Sequence, residues 1–444
     1  MPAPEPTLKF ARGDATGLAI PAHGDALRAG GAAFLTEAFQ AFGSLEPDNR
    51  VTRITRLERC PGGSTGEKLF LSVEYRKAHP HLHRDLFVKF SRDFNDPVRD
   101  ARGKHEMEGE IRLAAASRLP GFPIRLPVVY FADYHHESRT GALITERIAF
   151  GAGGIEPHRP KCLDHEITEP VVYYRAILQA LARLAAAHKS GRLGPEIDSR
   201  FPFDADRAAA ANPSPHDERQ LRTRVAQFAD FVAKCPRLFP AHIAARAFFE
   251  QLEREAGEFI RHEATIKRFL QSNPDFIALC HWNANIDNAW FWRDAAGALQ
   301  CGLMDWGHAG RMNVAFSLWG CLSGAPLEVW DLHLEELLGL FAGELREHGG
   351  PRLEVAELNL HMELYAATMG LAYFLDSPAR ILARLPEVVD AVGPSDPMFR
   401  RSETVRNQLH MSQVFLNLWQ THDLGASLER SLQRVHAADV KSGP

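Results

Sequence analysis

The stretch that most constrains this chain runs from residue 276 to 309, FIALCHWNANIDNAWFWRDAAGALQCGLMDWGHA. It opens on an apolar run, Phe276 to Cys280, followed by the polar octet HWNANIDN, which sets His281 and Asn288 seven residues apart. A second apolar run, Ala289 to Trp292, leads into a polar turn with Gly297, and a third, Cys301 to Met304, ends on Asp305. Two short apolar runs joined by a Gly-containing turn predict a β-hairpin. The chain is thereby committed to a polar loop, a hairpin, and an acid where the second strand stops. Asn288 and Asp305 both offer hard oxygen donors, the kind magnesium takes. The aromatics of NAWFWRD read as packing for a buried hairpin, not as a surface for stacking bases.

Upstream, PGGSTGE (Pro61 to Glu67) separates two predicted strands, Val51 to Arg59 and Lys68 to Tyr75. In the second, Leu69, Leu71, Val73 and Tyr75 alternate with Phe70, Ser72 and Glu74, the period of a half-buried strand. A hairpin turn alone accounts for such a loop. Gly62, Gly63 and Gly66, with the hydroxyls of Ser64 and Thr65, also let backbone N–H groups turn inward around phosphate oxygens. The next strand, Leu86 to Phe90, puts Phe87 and Lys89 on one side. A lysine inside an apolar strand needs an anion, because an unpaired buried ammonium is costly. A helix over about 101–119 then carries Glu106, Glu108 and Glu110, for which a solvated acidic face is the plain reading.

Elsewhere the organisation is coarser. Residues 1–21 read as an irregular lead-in, and Leu27 to Phe42 as an amphipathic helix. Gly141 to Ile148 reads as a buried strand entering a Gly-rich connector, Phe150 to Gly154. Tyr174, Ile177, Leu178, Leu181, Leu184, Ala185 and His188 share one helical face, with His188 a core residue. Residues 196–272 form a charged helical insertion, in which FPFDADRAAAANPSPHDE is a linker and Ala244 to Leu270 one long helix. From Pro326 onward the chain is again helical, most apolar over 361–375. The histidines of HPHLH (His79, His81, His83) sit in a turn with only Asp85 near ligand spacing, so they read as a turn and not as a metal site.

The loop, hairpin and acid match H-x-D-x-x-x-x-N followed by D-W, so the chain resembles the aminoglycoside phosphotransferase and choline kinase superfamily. Within it the likeness is to ecdysteroid-kinase-like bacterial small-molecule phosphotransferases. That resemblance implies an α+β, bilobal protein-kinase-like fold: an N-lobe of antiparallel sheet with one main helix (1–149), and a larger, mostly helical C-lobe (150–444) carrying the catalytic loop and the acceptor-binding helices. It implies ATP and Mg2+ as cofactors. Gly62, Gly63, Ser64, Thr65 and Gly66 would cradle phosphates, and Lys89 would touch them while paired with Glu110, Glu106 being the fallback acid. Backbone groups from Thr145 to Ile148, Glu146 and Ile148 among them, would meet the adenine edge. Asn288 and Asp305 would hold the metal, with His281 in the catalytic loop.

Four positions depart from the family pattern. Asn283 stands where the family has its catalytic aspartate, and a neutral amide can orient a hydroxyl but cannot take its proton. Ala114 replaces a tyrosine, and Asn313 and Ser317 replace two aspartates, the second of which braces the catalytic loop. Asp287 is the nearest acid able to act as base in place of residue 283, although a loop aspartate commonly serves local hydrogen bonds. The resemblance therefore implies phosphoryl transfer to a hydroxyl of a small molecule. Two alternatives stay open: a nucleotide-binding pseudokinase with a regulatory role, and nucleotidyl transfer on the same fold.

Composition narrows the partners. A net charge of -5 leaves no basic footprint for nucleic acid, so a small-molecule acceptor is the expected partner. Cys60, Cys162, Cys235, Cys280, Cys301 and Cys321 show no C-x-x-C spacing and suit reduced thiols. The opening MPAPEPTLKFARGD lacks the charged-then-apolar order of a signal peptide, and no apolar run reaches the ~18 residues of a membrane span. A cytoplasmic protein without a membrane partner is the expectation.

Overall fold

The computed structural model describes residues 9–442. A two-stranded ribbon (β1, Phe10–Arg12; β2, Ala19–Pro21) and helix α1 (Gly24–Ala41) come first. Five strands follow: β3 (Val51–Arg59), β4 (Lys68–Tyr75), β5 (Asp85–Phe90), β6 (Val129–His135) and β7 (Thr140–Glu146). They make one sheet in the order β3-β4-β5-β7-β6, every neighbouring pair antiparallel. One face of β4 and β5 presents Leu69, Leu71, Val73, Leu86, Val88 and Phe90, which bury against Leu27, Leu35, Ala38 and Phe39 of α1. Period-2 alternation then forces Lys68, Phe70, Phe87 and Lys89 to the other face. Between β5 and β6 lies α2 (Pro97–Ala116), started by Asp96, whose side chain accepts from the N–H groups of Val98 and Arg99, with Pro97 in the first turn.

Beyond Glu146 the chain leaves the sheet and becomes mostly helical: α3 (Pro170–Lys189), α4 (Ile197–Arg200), α5 (Ala205–Ala210), α6 (Glu218–Lys234), α7 (Arg246–Arg261) and α8 (Glu263–Ser272). Four short strands interrupt the helices: β8 (Ile277–Cys280), β9 (Ala289–Arg293), β10 (Leu299–Leu303) and β11 (Gly310–Asn313). β9 and β10 form a hairpin, and β8 pairs with β11. Helices α9 (Val314–Leu322), α10 (Leu327–Glu347), α11 (Val355–Tyr373), α12 (Ser377–Arg384), α13 (Glu403–Thr421) and α14 (Leu424–Ser442) complete this part. Its core and the core between α1 and the sheet are separate clusters, which makes two lobes with a cleft between them. No described helix is long and apolar enough to cross a membrane.

The structure corrects three expectations. The lead-in is not irregular where it is described, because residues 10–12 and 19–21 pair as a ribbon; residues 1–8 lie outside the described part. The single helix over 244–270 is two, α7 and α8, broken at His262 (φ -102°, ψ 7°). The linker read through residue 218 contains α5 and ends on a capping box, Asp217 with Gln220, that starts α6.

Candidate active site

The site forms where the exposed face of the sheet meets the polar loop. Lys89, on β5, places its ammonium 2.7 Å from Glu110 Oε1 of α2 and 2.6 Å from Asp305 Oδ1 at the end of the hairpin. Burial pushes the lysine pKa down, and the two carboxylates outweigh it and hold it above the usual range. Lys89 in turn, helped by Lys68, holds the Asp305 carboxyl far below the usual carboxylate range. Asp305 is walled in by protein, yet its side chain stays 43% exposed toward the cleft. Its backbone is left-handed (φ 59°), the local strain that swings the acid back toward Lys89. Glu106, one turn away on α2, pairs with His308 at 3.4 Å.

The polar loop is braced from behind. His281 is fully buried, its ring 4.4 Å from that of Trp306. Its Nε2–H donates to the Met304 carbonyl (3.0 Å) and its Nδ1 accepts from the Asn283 N–H (3.2 Å). Burial holds its pKa at about 4, so the ring is neutral. His281 does not line the cleft; its contacts hold the polar loop from behind. Ser317 donates its hydroxyl to the His281 carbonyl, so the brace expected of an aspartate is made by a neutral group. Asn313 caps α9 at Ala315 and donates to Leu270 and His361. The Asn283 carbonyl accepts from Asn288 Nδ2 (3.0 Å), which leaves the Asn288 oxygen for another partner.

A cleft of about 910 Å³ joins these groups. Gly62, Gly63, Ser64, Lys89, Glu110, Glu146, Ile148, Asn283, Asp287, Asn288 and Asp305 all line it. Sheet, strand lysine, helix acid, loop amide and strand-end acid occupy one cleft in chain order. That is the arrangement expected from the resemblance to a protein-kinase-like fold. No protein-family model matches the sequence, and no curated protein matches it either. Among solved structures it is similar to Plasmodium vivax ethanolamine kinase, at 13% identity over 83% of each chain with a TM-score of 0.42. It is similar also to spectinomycin phosphotransferase in complex with ADP and spectinomycin (11%, 83% of this chain and 94% of that one, TM-score 0.40). A third is a type VIII aminoglycoside-3'-phosphotransferase (21%, 76% and 98%, TM-score 0.33). The residues of this chain, not those likenesses, carry the reading that follows.

Thr65 and Gly66 lie outside the lining. Gly66 is buried with φ 52°, and a Cβ there would sit 1.8 Å from the Phe90 carbonyl oxygen, so its glycine serves close packing on β5. The loop is held down by Arg99, which donates to the Gly62 carbonyl (2.9 Å). The Glu146 side chain turns to His83 (3.0 Å) and the Val128 N–H (2.9 Å). Burial pushes its carboxyl up, and those two hydrogen bonds outweigh it. At the opposite end, Asp287 has one carboxylate oxygen buried without a partner. Burial raises its pKa against the opposing pull of Lys161 and His158.

Sequence reading missed several lining groups. Lys68 stands directly opposite Lys89 in the β4–β5 register and shares its face, a position already fixed by the alternation assigned to that strand. It is 9% exposed, and its ammonium has no hydrogen-bond or ion-pair partner among the described residues. Its Nζ lies 2.6 Å from where a Cβ on Gly63 would be. His158 and Lys161, and Glu403, Thr404 and Asn407 of α13, line the far end. No local signal marks the α13 residues, because only tertiary packing brings that helix to the loop.

Proposed function

We propose that the protein transfers the γ-phosphoryl group of ATP, with magnesium, to a hydroxyl of a small molecule. The observation that carries this is the Lys89 ammonium held between Glu110 and Asp305, from elements far apart in sequence, and turned into a cleft roofed by a glycine loop. Such a lysine, together with unpaired Lys68, meets a polyphosphate with two positive charges. Phe70 and Phe87, ring centroids 6.0 Å apart, give the roof an apolar patch for a base.

The donor set fits magnesium. Asp305 keeps one oxygen not engaged by Lys89 and Asn288 keeps its amide oxygen, while magnesium takes one or two protein oxygens beside phosphate and water. When bound, the ion supplies neutralisation of phosphate charge. Asn283 orients the acceptor hydroxyl, and Asp287, whose basicity burial increases, accepts its proton. A loose transition state asks little of that base early on, which is why an amide at 283 is compatible with turnover.

One observation favours a second reading. With Asn283 in place of a carboxylate, a protein that binds ATP without transferring phosphate keeps the same cleft. Two measurements separate the readings. Mg-ATP should raise the melting temperature by mass action, and Lys89→Ala and Asp305→Ala should each remove most of that rise. ATP consumption with magnesium should then appear with some member of a library of small alcohols, antibiotics and sterols. A rise that survives in both variants rules out this cleft as the nucleotide site; a rise without turnover leaves the binding protein.

A further inference from the structure

Helix α13 faces two separate spaces. Glu403, Thr404 and Asn407 look into the cleft, whereas Arg406, Leu409, His410 and Gln413 line a second cavity of about 330 Å³. No residue lines both. The segment before α3 completes the partition, with Lys161 on the cleft side and Cys162 and Leu163 on the other.

Arg406 is the group this cavity is built around. It is 8% exposed, its Nε donates to the Lys161 carbonyl (2.8 Å), and one terminal amino group donates to the Phe399 carbonyl (3.3 Å). It forms no ion pair among the described residues. Carbonyl dipoles satisfy donors but leave the charge in place, and a buried charge without a counter-charge is costly. The two acids that line the cavity are engaged elsewhere, and buried Asp164, next to Leu163, does not line it. Glu166 pairs with Arg400, and Asp396 accepts from the N–H groups of Val392 and Met398. Arg237, exposed at the rim, adds a second unpaired cation among the described residues. The histidines contribute no charge: burial holds His410 at about 4, with its Nε2–H on the Ala325 carbonyl, and burial lowers His165 as well.

We propose that this cavity is a binding site for a small anion, a carboxylate or a phosphate ester, whose charge is met by Arg406. A guanidinium presents planar paired donors that match both groups. The volume suits a small ligand, and Leu238, Phe239, Leu327 and Leu409 supply an apolar wall for its carbon skeleton. The occupant is a second ligand and not the acceptor, since Lys161, Cys162 and α13 stand between it and the cleft. The inference rests on this cavity alone and holds whichever reading of the cleft is right.

The test is calorimetric titration of the full chain with inorganic phosphate and, separately, malonate, at constant ionic strength. Saturable binding of at least one probe is expected, and the tighter of the two identifies the class of anion. Arg406→Gln should weaken it roughly ten- to a hundredfold, the worth of charged hydrogen bonds. Ser395→Trp, which fills the cavity from its exposed rim without touching Arg406, should do the same and decides the matter should Arg406→Gln misfold. Whatever anion the cleft takes is removed by Lys89→Ala, and the binding that survives in that variant is the binding assigned to this cavity. Absence of binding by either probe overturns the proposal. Binding indifferent to Ser395→Trp overturns it too, and binding lost with Lys89→Ala would place the anion in the cleft instead.

Discussion

Lys68 and Lys89 stand directly opposite each other on neighbouring strands, on the same face, and only Lys89 has carboxylate partners. Like charges in that register destabilise a sheet by up to about 1 kcal/mol. On the proposed reading this repulsion exceeds the pull of Asp305 on Lys68, costs stability in the free protein and is relieved when an anion binds. Lys68→Met should raise the melting temperature of the free protein and, at the same time, weaken Mg-ATP binding by roughly tenfold or more. Thermal shift with and without nucleotide reads both effects. A purely structural Lys68 would give no such opposition: stability and affinity would move together, or affinity would not move.

A second expectation concerns acid. His361 is buried, stacked on Phe276 with centroids 4.1 Å apart, and accepts from Asn313 at Nδ1 (3.0 Å). Burial holds its pKa at about 4 against an ordinary 6.5. The folded state thus refuses a proton that the unfolded chain takes, and stability present above about pH 6.5 is lost as pH falls toward 4, by at most roughly 3 kcal/mol. His361→Gln keeps an acceptor for Asn313 and does not titrate. It should cost stability at pH 7.5 through lost packing, with the deficit shrinking or reversing by pH 5. A deficit constant between those pH values in chemical denaturation would show that His361 is not the titrating group.

Much of this was legible in the sequence, and the failures have physical causes. The hairpin and Asp305 were readable because short apolar runs and a Gly turn admit few other structures, and Lys89 because alternation fixes its face. The break at His262 was not, since the apolar period continues across it and the one glycine nearby, Gly257, lies inside α7. Two helix starts did carry signals that went unused: Asp96–Pro97 ahead of α2, and Asp217 with Gln220 ahead of α6. β6 hid because its residues are nearly all buried, which erases the alternation that marks a strand. Ser317 looked like the loss of a brace, whereas a hydroxyl reaches the same carbonyl.

Asp164 offers a pH effect of opposite sign. It is 2% exposed, accepts from the Tyr174 hydroxyl (2.5 Å), and its other oxygen has no partner. Burial, with Asp287 adding to it, raises its pKa to about 7. The unfolded carboxyl ionises from about pH 4 whereas the folded one stays protonated, so its contribution is present at low pH and lost as pH rises toward 7. Asp164→Asn imitates the protonated form. It should be close to neutral at pH 3, below both pKa values, and stabilising at pH 8, by at most roughly 4 kcal/mol. Equal melting temperatures for variant and wild type at pH 8 would mean that the site is open to water.

The remaining expectation concerns how the proposed transfer would proceed without a carboxylate at 283. Asn283 lines the cleft with a side chain that has no hydrogen-bond partner among the described residues, so it is free to hold an acceptor hydroxyl. Asp287 lines the same end, one of its oxygens unpartnered. If it is the base, Asp287→Asn should lower kcat roughly 10²-fold or more, the worth of general-base catalysis, while leaving the ATP KM within about twofold. The proposed metal donors Asn288 and Asp305 are untouched by that change. Asn283→Ala should cost less, by losing orientation alone, and Asn283→Asp should raise turnover or leave it similar, because it adds a second carboxylate where the hydroxyl sits. A pH profile separates chemistry from positioning. The lower limb of kcat should titrate with Asp287, above the ordinary carboxylate range because burial raises it, and should disappear in Asp287→Asn. Full activity in both Asp287→Asn and Asn283→Ala would put the base outside this loop. ATP binding with no turnover in wild type or in Asn283→Asp, across every acceptor, would establish the non-catalytic reading instead.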